Sequence, residues 1–260
     1  MSTPTKERKR LEHSRKKPQA GPPLPPAEST SRGERRKRET RERLLQAAFR
    51  LFAERDADAV PINEITEAAD VGFGSFYNHF PSREAIHDEL MRRVFEEFAD
   101  ALDRQTAAVE DPAEVIAVSI RHAVLRAQRE PLWGRLLIRE TCRGRILTQG
   151  LGARLVRDVQ RGIAAGRFKA PDPLMGFVMV GSAILGSIAA EVQLTPEDAA
   201  ALEQLGVSTD GLPERTAVAL LHTLGLSLSE ARAIARRPLP DGAPPPKAPL
   251  LGSEVQRELG

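Results

Sequence analysis

The chain has 260 residues and a formal net charge of +2, but the charges are unevenly distributed. Residues 1–43 carry 14 Lys and Arg against six Glu, a net of +8, so the rest of the chain has a net charge of −6. Such a layout is typical of a protein whose basic end meets a polyanion. The single cysteine, Cys142, excludes a disulfide framework and a Cys-rich zinc site, and it is typical of a reducing cytosol.

Both ends of the chain differ in composition from its middle. Residues 1–33 are rich in Lys, Arg and Pro, and residues 236–260 are rich in Pro. Segments of this kind bury too little apolar surface to offset the entropy lost on folding. We therefore expect a disordered basic arm and a disordered tail. Because the charged first residues lack the apolar run of a secretory signal, we also expect a cytoplasmic protein.

Between the two ends, apolar residues recur at helical spacing, and no sustained alternation typical of strands is found. This pattern predicts an all-α fold of about nine helices. The first helix covers residues 34–55, and a long helix that begins after Pro81 carries an apolar stripe from Met91 to Leu102. Prolines stand where helices would begin, since a missing N–H costs nothing there. They are Pro61, Pro81, Pro112, Pro131, Pro173, Pro196 and Pro213.

Two short helices after the first one have the pattern of a helix-turn-helix. They cover residues 62–69 and 73–79 and are joined by a three-residue turn. Asp70 stands where this turn needs a left-handed residue, and Asp is one of the few residues that tolerate that conformation. Phe76 and Phe80 are expected to point into the core. The other side chains of the second short helix therefore face outward.

These outward side chains are of the types that bind DNA. Gly74 lets the backbone approach closely, while Ser75 and Tyr77 can donate to phosphates. Asn78 can pair with an adenine edge, and the helix N-terminus itself favours a phosphate. For Phe73, two interpretations stay open: a contact with a thymine methyl group, or a hydrophobic staple. The candidate DNA contacts are Arg36, Lys37, Arg38, Arg41, Phe73, Gly74, Ser75, Tyr77, Asn78, His79 and Arg83.

The stretch from Arg38 to Leu90, and above all its segment GSFYNHFPSREAI, resembles the DNA-binding domain of the TetR/AcrR family of bacterial transcriptional regulators. The resemblance implies an N-terminal three-helix domain and a C-terminal helical domain that binds a ligand and dimerises. The parts would be the arm (1–33), the helix-turn-helix domain (34–81, motif 60–79), the effector-binding and dimerisation domain (82–235) and the tail (236–260).

The same resemblance implies a function. The protein would be a homodimeric regulator, located in the bacterial cytoplasm at the nucleoid, that binds a palindromic operator in double-stranded DNA. Repression is the family default, and activation stays open as the alternative. A small-molecule effector would release the protein by moving the long helix after Pro81. Gly72 and Phe73 stand where the family usually has Ser and a polar residue, so the operator sequence stays open.

The later helices carry apolar side chains that lead to two further predictions. The first is an effector pocket for a largely apolar molecule, with ordinary core packing as the alternative. Its lining would be Phe95, Phe98, Leu102, Ile116, Ile120, Trp133, Leu137 and Phe177. The second is a dimer interface built on small residues that allow close helix approach, with an internal core as the alternative. Its residues would be Gly176, Met179, Ala183, Gly186, Ala190, Ala217, Leu220, Leu221 and Leu224.

The apolar run 174–190 only reaches the bottom of the membrane-spanning range, so we interpret it as a buried helix and expect no membrane partner. Catalytic motifs are missing from the sequence, so we expect no enzyme and no cofactor. The trio Glu84, His87 and Asp88 is interpreted as a solvated helix face, and we predict no metal site. A second set is also interpreted as a solvated stripe: Ser119, His122, Arg126 and Arg129.

Two other functions stay open at the level of the sequence. One is a nucleoid-type or architectural DNA-binding protein whose second domain only dimerises. The other is a helical lipid-binding or acyl-group-binding protein whose helix-turn-helix no longer binds DNA. A cavity lined by the predicted pocket residues would argue against the first, and retained DNA binding would argue against the second.

Overall fold

The computed structural model describes residues 32–142, 150–169, 172–208 and 210–240. Within these ranges the chain forms α-helices and no strand, which confirms the all-α prediction. The helices are α1 (Arg32–Glu54), α2 (Ile62–Ala68), α3 (Phe73–Phe76), α4 (Arg83–Met91), α5 (Glu97–Thr106), α6 (Pro112–Arg129), α7 (Pro131–Cys142), α8 (Gly150–Ala164), α9 (Pro173–Gln193), α10 (Pro196–Gln204), α11 (Leu212–Thr223) and α12 (Leu228–Ala235).

These twelve helices exceed the nine or so predicted, in part because a π-helical turn at Arg92–Glu96 divides the long helix into α4 and α5. The predicted arm and tail lie largely outside the described residues. Residues 32 and 33, which the composition assigns to the arm, belong to α1. The long helix buries Phe95, Phe98 and Leu102, as its apolar stripe predicted.

The N-terminal helices share one small core. Phe49 and Phe52 of α1 are buried, as are Ile65 of α2 and the pair Phe76 and Phe80 that follows it. The sequence predicted this arrangement because residues three and four positions apart lie on one face of a helix. The core holds α1, α2, α3 and the start of α4 together, so the surface of α3 has a fixed orientation.

The prolines mark helix starts, with two exceptions. Five of them occupy the first or second helical position, at α6, α7, α9, α10 and α11. Pro61 instead takes the N-cap position of α2. Pro81 precedes the N-cap of α4, because Ser82 supplies the capping oxygen and accepts a hydrogen bond from the Ala85 N–H at 3.2 Å. Proline has no side-chain oxygen for that role.

Helix α6 lies at the centre of the C-terminal part and packs against α7, α8, α9 and α11. Its partner α11 buries Ala217, Leu220, Leu221 and Leu224, each at most 1% exposed, against α6, α9 and α12. Assigning these four residues to a dimer interface was therefore wrong. The apolar stripe of α11 is covered by helices of its own chain.

Helix α9 is less buried than predicted, whereas the predicted interface residues at α11 are more buried than predicted. We expected a buried helix, yet only 17% of its most apolar stretch is buried within the chain. By length and composition alone, residues 174–193 could cross a membrane, but this is weak evidence because core helices of soluble proteins pass the same test. Val180 and Ile188 face inward, whereas another side leaves apolar side chains exposed: Leu174, Met175, Val178 and Met179.

Candidate nucleic-acid interface and internal cavity

The turn between α2 and α3 has the geometry that the sequence predicted. Asp70 is the one described residue other than glycine with a positive φ, 51°. Its carbonyl oxygen accepts a hydrogen bond from Arg43 Nη1 at 3.2 Å, which ties the turn to α1. The Val71 N–H donates to the Thr66 oxygen at 3.0 Å, and Gly72 takes the N-cap position of α3. The two helices are thus held in a fixed relative orientation.

Helix α3 is shorter than predicted. It ends at Phe76, and residues 77–79 form turns instead of continuing the helix. The Asn78 N–H donates to Ser75 O at 3.2 Å, and the His79 N–H donates to Phe76 O at 2.9 Å. These bonds span three residues rather than four, which tightens the end of the helix.

The predicted outward face of α3 is exposed. Phe73 is 53% and Tyr77 is 52% exposed, and Gly74 and Asn78 are exposed as well. A Cβ added to Gly74 would meet no heavy atom within 4 Å, so nothing in the chain fills the space in front of this backbone. Ser75, the residue after Gly74 in α3, is half-buried. Three hydrogen-bonding side chains (Ser75, Tyr77 and Asn78) and the aromatic rings of Phe73 and Tyr77 therefore share one accessible surface.

His79 is held differently from the other predicted contacts. It is half-buried, and burial lowers its pKa below the usual value, with further lowering by the nearby cations Lys37 and Arg41. Burial and the two cations therefore both disfavour the charged form of the ring. This makes His79 a weaker candidate for a phosphate contact than the exposed cations of α1.

The cations of α1 fall into two groups. Arg36, Lys37 and Arg38 are exposed, as a role in binding phosphates requires. Arg41 instead lies 4.5 Å from the centre of the Phe80 ring and 3.2 Å from Glu89. Arg83, which follows α3 in the chain, also contacts residues of its own chain.

The Arg83 guanidinium donates to the Asp58 carbonyl at 2.5 Å and lies 3.2 Å from Glu84. Both Arg41 and Arg83 are committed to contacts within the chain. Their first role is to hold α1, α4 and the segment at Asp58 together, and they are weaker candidates for phosphate contacts than the exposed trio on α1.

A cavity of about 110 Å³ lies between α5, α6, α7, α8 and α9. It brings together five of the eight predicted pocket residues: Leu102, Ile116, Ile120, Leu137 and Phe177. The sequence did not identify the other apolar or small lining residues, among them Leu151, Leu155, Gly181, Ile184 and Leu185. Leu151 and Leu155 are four residues apart and therefore lie on one face of α8. This spacing was the sequence pattern that could have indicated an inward apolar face of α8.

The other three predicted pocket residues lie elsewhere, in an aromatic cluster. The Trp133 ring centre lies 6.0 Å from that of Phe95 and 5.2 Å from that of Phe98, and Trp133 is fully buried. Arg126 lies over the same rings, 4.8 Å from Phe98 and 4.9 Å from Trp133. These rings are core, which is the alternative that the sequence left open.

Arg126 also corrects the interpretation of its helix face as a solvated stripe. It is 5% exposed, and its guanidinium lies 3.2 Å from Glu130, which is also buried. Burial lowers the pKa of Arg126. Ser119 of the same face lines the cavity, and burial lowers the pKa of His122. Arg129 of the same stripe is exposed, as the sequence predicted. The stripe is therefore only partly solvated, because the Phe98 and Trp133 rings cover Arg126.

One end of the cavity is charged. Asp103, Arg154 and Asp158 belong to its lining, and Arg157 stands beside them. Arg157 Nη2 donates to Asp103 at 2.6 Å and its Nε donates to Asp158 at 2.8 Å, while Arg154 Nε donates to Asp103 at 3.0 Å. The hydrogen bonds from Arg157, reinforced by Arg154, lower the pKa of Asp103. The cavity thus joins apolar walls to a rim of ionised donors and acceptors.

Helix α7 connects this cavity to the N-terminal domain. Leu137 and Thr141 line the cavity, whereas Arg139 donates to the carbonyl oxygens of Ala53, at 3.0 Å, and Glu54. These carbonyls belong to the last turn of α1, where intrahelical partners are missing. A displacement of α7 therefore reaches α1 directly.

The next residue of α7 makes a second link, and it corrects another interpretation. Glu140 Oε2 lies 3.2 Å from His87 Nε2 of α4, and both side chains are buried. His87 also packs against the Phe52 ring, with ring centres 5.7 Å apart. The proposed solvated face at Glu84, His87 and Asp88 is therefore wrong for His87. Among the described residues, no group of three His, Cys, Asp or Glu could hold a metal ion.

These observations define a class of protein. It is an all-helical chain in which a helix-turn-helix domain presents an exposed surface at Phe73, Gly74, Tyr77 and Asn78, here called the reading surface. This domain is linked to a second domain that contains a ligand-sized cavity. Residues 44–90 match the family described as bacterial regulatory proteins, tetR family. Residues 111–237 match the tetracyclin repressor-like C-terminal domain. The chain belongs to the TetR family, as the resemblance implied.

Several relatives are similar to parts or most of the chain. This chain is 34% identical to RolR, whose structure was solved in complex with resorcinol. The match covers 80% of this chain and 98% of the RolR chain, with a TM-score of 0.57. It is 43% identical over 68 residues to the repressor KstR2 of Rhodococcus jostii, covering 26% of this chain and 31% of KstR2. An HTH-type transcriptional regulator of Mycobacterium tuberculosis is 33% identical over 90 residues, covering 35% of this chain and 45% of that protein.

The chain thus spans less than half the length of the two curated relatives, KstR2 and the Mycobacterium tuberculosis regulator. The family and these two curated relatives are transcriptional regulators.

Proposed function

We propose that this protein is a DNA-binding transcriptional repressor that a small effector releases from its operator. The observation that carries the proposal is the accessible surface at α3, where Tyr77 and Asn78 are exposed. The cations Lys37 and Arg41 of α1 are close enough to this surface to lower the pKa of His79. The protein acts in the bacterial cytoplasm at the nucleoid and has no catalytic role. Membership of the TetR family supports this function.

In the proposed complex, α3 enters the major groove. Asn78 pairs with an adenine edge, while Ser75 and Tyr77 donate to phosphates that fix the register. Arg36, Lys37 and Arg38 bind phosphates and release counterions, which adds affinity without sequence preference. Base contacts and phosphate contacts therefore come from different helices and can be tested separately.

Single substitutions separate the two kinds of contact. We expect Asn78→Ala to cost about 1–3 kcal/mol at one base position and to relax the preference there. Arg38→Ala should weaken binding to all sequences equally and reduce the slope of log K against log salt by about 1. The measurement is fluorescence anisotropy with an operator selected from a random library by the full chain. Arg232→Ala, an exposed arginine of α12, is the charge-matched control. The proposed surface is wrong if Asn78→Ala and Arg38→Ala bind like this control.

The cavity suits a small ring. An apolar protein cavity of about 150 Å³ holds benzene, and the cavity of about 110 Å³ found here falls in the same range of size. RolR, 34% identical over most of its length, was solved with resorcinol. We therefore propose a single-ring phenol as the effector, with its ring between Ile120 and Leu137 and its hydroxyl groups at Asp103 and Asp158. A lined cavity of this kind also argues against an architectural protein without an effector.

The effector has two routes to the DNA-binding domain. Leu102 and Asp103 belong to α5, which continues through the π-helical turn into α4. Leu137 and Thr141 belong to α7, whose Arg139 binds the end of α1. A ring that binds better to one arrangement of α5 and α7 shifts the population toward that arrangement. The second route adds to the movement of the long helix that the family resemblance implies.

A second copy of the chain is the proposed partner of α9. Leu174, Met175, Val178 and Met179 form an exposed apolar strip at the start of the helix, and Gly186 is exposed further along. Gly176, Ala183 and Ala190 of the predicted interface are half-buried beside it. Two copies related by a two-fold axis would cover this surface. They would also place two α3 helices on successive turns of a palindrome.

A charge in this strip should separate the dimer. Met179 is 50% exposed, so we expect Met179→Asp to fold normally and to weaken dimerisation at least about 100-fold, because two unpaired carboxylates would be buried at the axis. Light scattering after size exclusion gives the mass. Leu228→Asp, at an exposed leucine of α12, is the control and should stay dimeric. A wild-type monomer, or a Met179→Asp dimer, would contradict the proposed interface.

A further inference from the structure

The reading surface carries two apolar rings that the fold does not use. Phe73 and Tyr77 are each more than half exposed, and their ring centres lie 5.8 Å apart in an edge-to-face contact. In the described part of the chain, every other exposed large apolar side chain lies at residue 174 or beyond. The N-terminal domain thus exposes apolar surface in a single place, on α3.

A role in helix capping does not account for Phe73. Gly72 is the N-cap of α3, which makes Phe73 the first helical residue. A hydrophobic staple joins the residue before the N-cap to the fourth helical residue, and these positions are Val71 and Phe76. Val71 is packed against the core and Phe76 is fully buried. The staple interpretation of Phe73 is therefore wrong, and its ring stays in solvent at a cost that binding can recover.

The floor of the major groove offers one apolar group, the C5-methyl group of thymine. We propose that Phe73 is a specificity-determining residue that packs on a thymine methyl group in each half-site, with the Tyr77 ring supporting it edge-on. This inference rests on the proposed DNA binding. Both neighbours of Phe73 are glycines, and a Cβ at Gly74 would meet nothing within 4 Å. The backbone can therefore approach the base closely enough for the ring to reach it.

The test replaces thymine by uracil, which differs only in lacking this methyl group. An operator is first selected from a random duplex library with the full-length protein, and each thymine of a half-site is then changed to uracil in turn. At one position per half-site, uracil should weaken binding about fourfold, and about fifteenfold when both half-sites carry it. Other positions should show little change.

The matching variants are Phe73→Ala and Tyr77→Phe. Phe73→Ala should bind the thymine operator as weakly as the wild type binds the doubly substituted one, and it should bind both operators equally. Tyr77→Phe keeps the supporting ring and should keep the discrimination. Because the Phe73 side chain is half exposed, Phe73→Ala should leave the melting temperature unchanged. Phe73→Leu is a second variant, in which a smaller apolar side chain contacts the methyl group.

Two results would overturn the inference while leaving DNA binding intact: no thymine at which uracil weakens binding, or a Phe73→Ala protein that still discriminates thymine from uracil. If the full-length protein selects no sequence at all, the proposed function fails, and Phe73 and Tyr77 would instead mark a protein-binding surface.

Discussion

Replacing Gly181 by methionine is expected to abolish the response to the effector while DNA binding is retained. Gly181 lines the cavity, and a Cβ added to it would meet no heavy atom within 4 Å. The methionine side chain can therefore occupy the space of about 110 Å³ where we place the ring. Because glycine within a helix costs about 0.5–1 kcal/mol relative to alanine, the substitution should also raise the stability of α9.

The experiment compares resorcinol-induced release of DNA from the wild type, Gly181→Ala and Gly181→Met. The concentration for half-release should rise at least about 100-fold for Gly181→Met. Gly181→Ala, the matched control, adds one methyl group and should respond nearly like the wild type. At a ligand concentration of about 100 times Kd, resorcinol stabilises the wild type by about 2.7 kcal/mol, and Gly181→Met should lack this gain.

Two results would contradict this assignment. If Gly181→Met is released at the same concentration as the wild type, the effector binds outside the cavity. If no single-ring phenol releases or stabilises the wild type, the class of effector is wrong, even if the cavity binds another molecule. The second result leaves DNA binding untouched, because that is measured without an effector.

The helix-turn-helix could be predicted closely because its determinants are local. The left-handed Asp70 and the burial of Phe76 and Phe80 depend on residues a few positions apart, and these spacings fix which face is inside. The end of α3 was misplaced by three residues, since the i to i+3 hydrogen bonds that close it leave no signature in composition. Local rules therefore suffice to predict which side chains the reading surface exposes, but not where its helix ends.

The cavity was harder to predict because it depends on how distant helices meet. Five predicted residues line it, but α8 contributes Leu151, Leu155 and Asp158, which the sequence alone did not relate to the other helices. Gly181 has no side chain to suggest a cavity. An apolar stripe shows that a helix face is covered but does not show which helix covers it.

The same reason explains the errors at α11 and α9. Leu220 and Leu224 looked like interface residues, yet they contact helices of the same chain. Met175 lies in a run that looked like a buried helix, yet its side chain is exposed. Met179, which the sequence assigned to a dimer interface, is also exposed and so stays available for a partner. Both stripes are apolar, and only the tertiary arrangement decides which one is left for a partner.

Removing Glu130 is expected to destabilise the protein strongly. Its carboxylate lies 3.2 Å from the guanidinium of Arg126, and both residues are less than 9% exposed. The sequence suggested a solvated arginine, but the rings of Phe98 and Trp133 cover it. Glu130→Ala would leave a buried cation with only aromatic faces as partners, at a cost of about 3–5 kcal/mol.

Urea denaturation measures this loss, and a double variant isolates its cause. Arg126→Met with Glu130→Gln removes both charges and keeps similar volumes, so it should recover most of the stability, because a buried ion pair contributes little beyond compensating its own desolvation. Glu64→Ala breaks the exposed pair with Arg55 and should leave the midpoint nearly unchanged. If Glu130→Ala unfolds at the same urea concentration as Glu64→Ala, water must reach Arg126 in solution. The solvated stripe that the sequence indicated would then be the better description of α6.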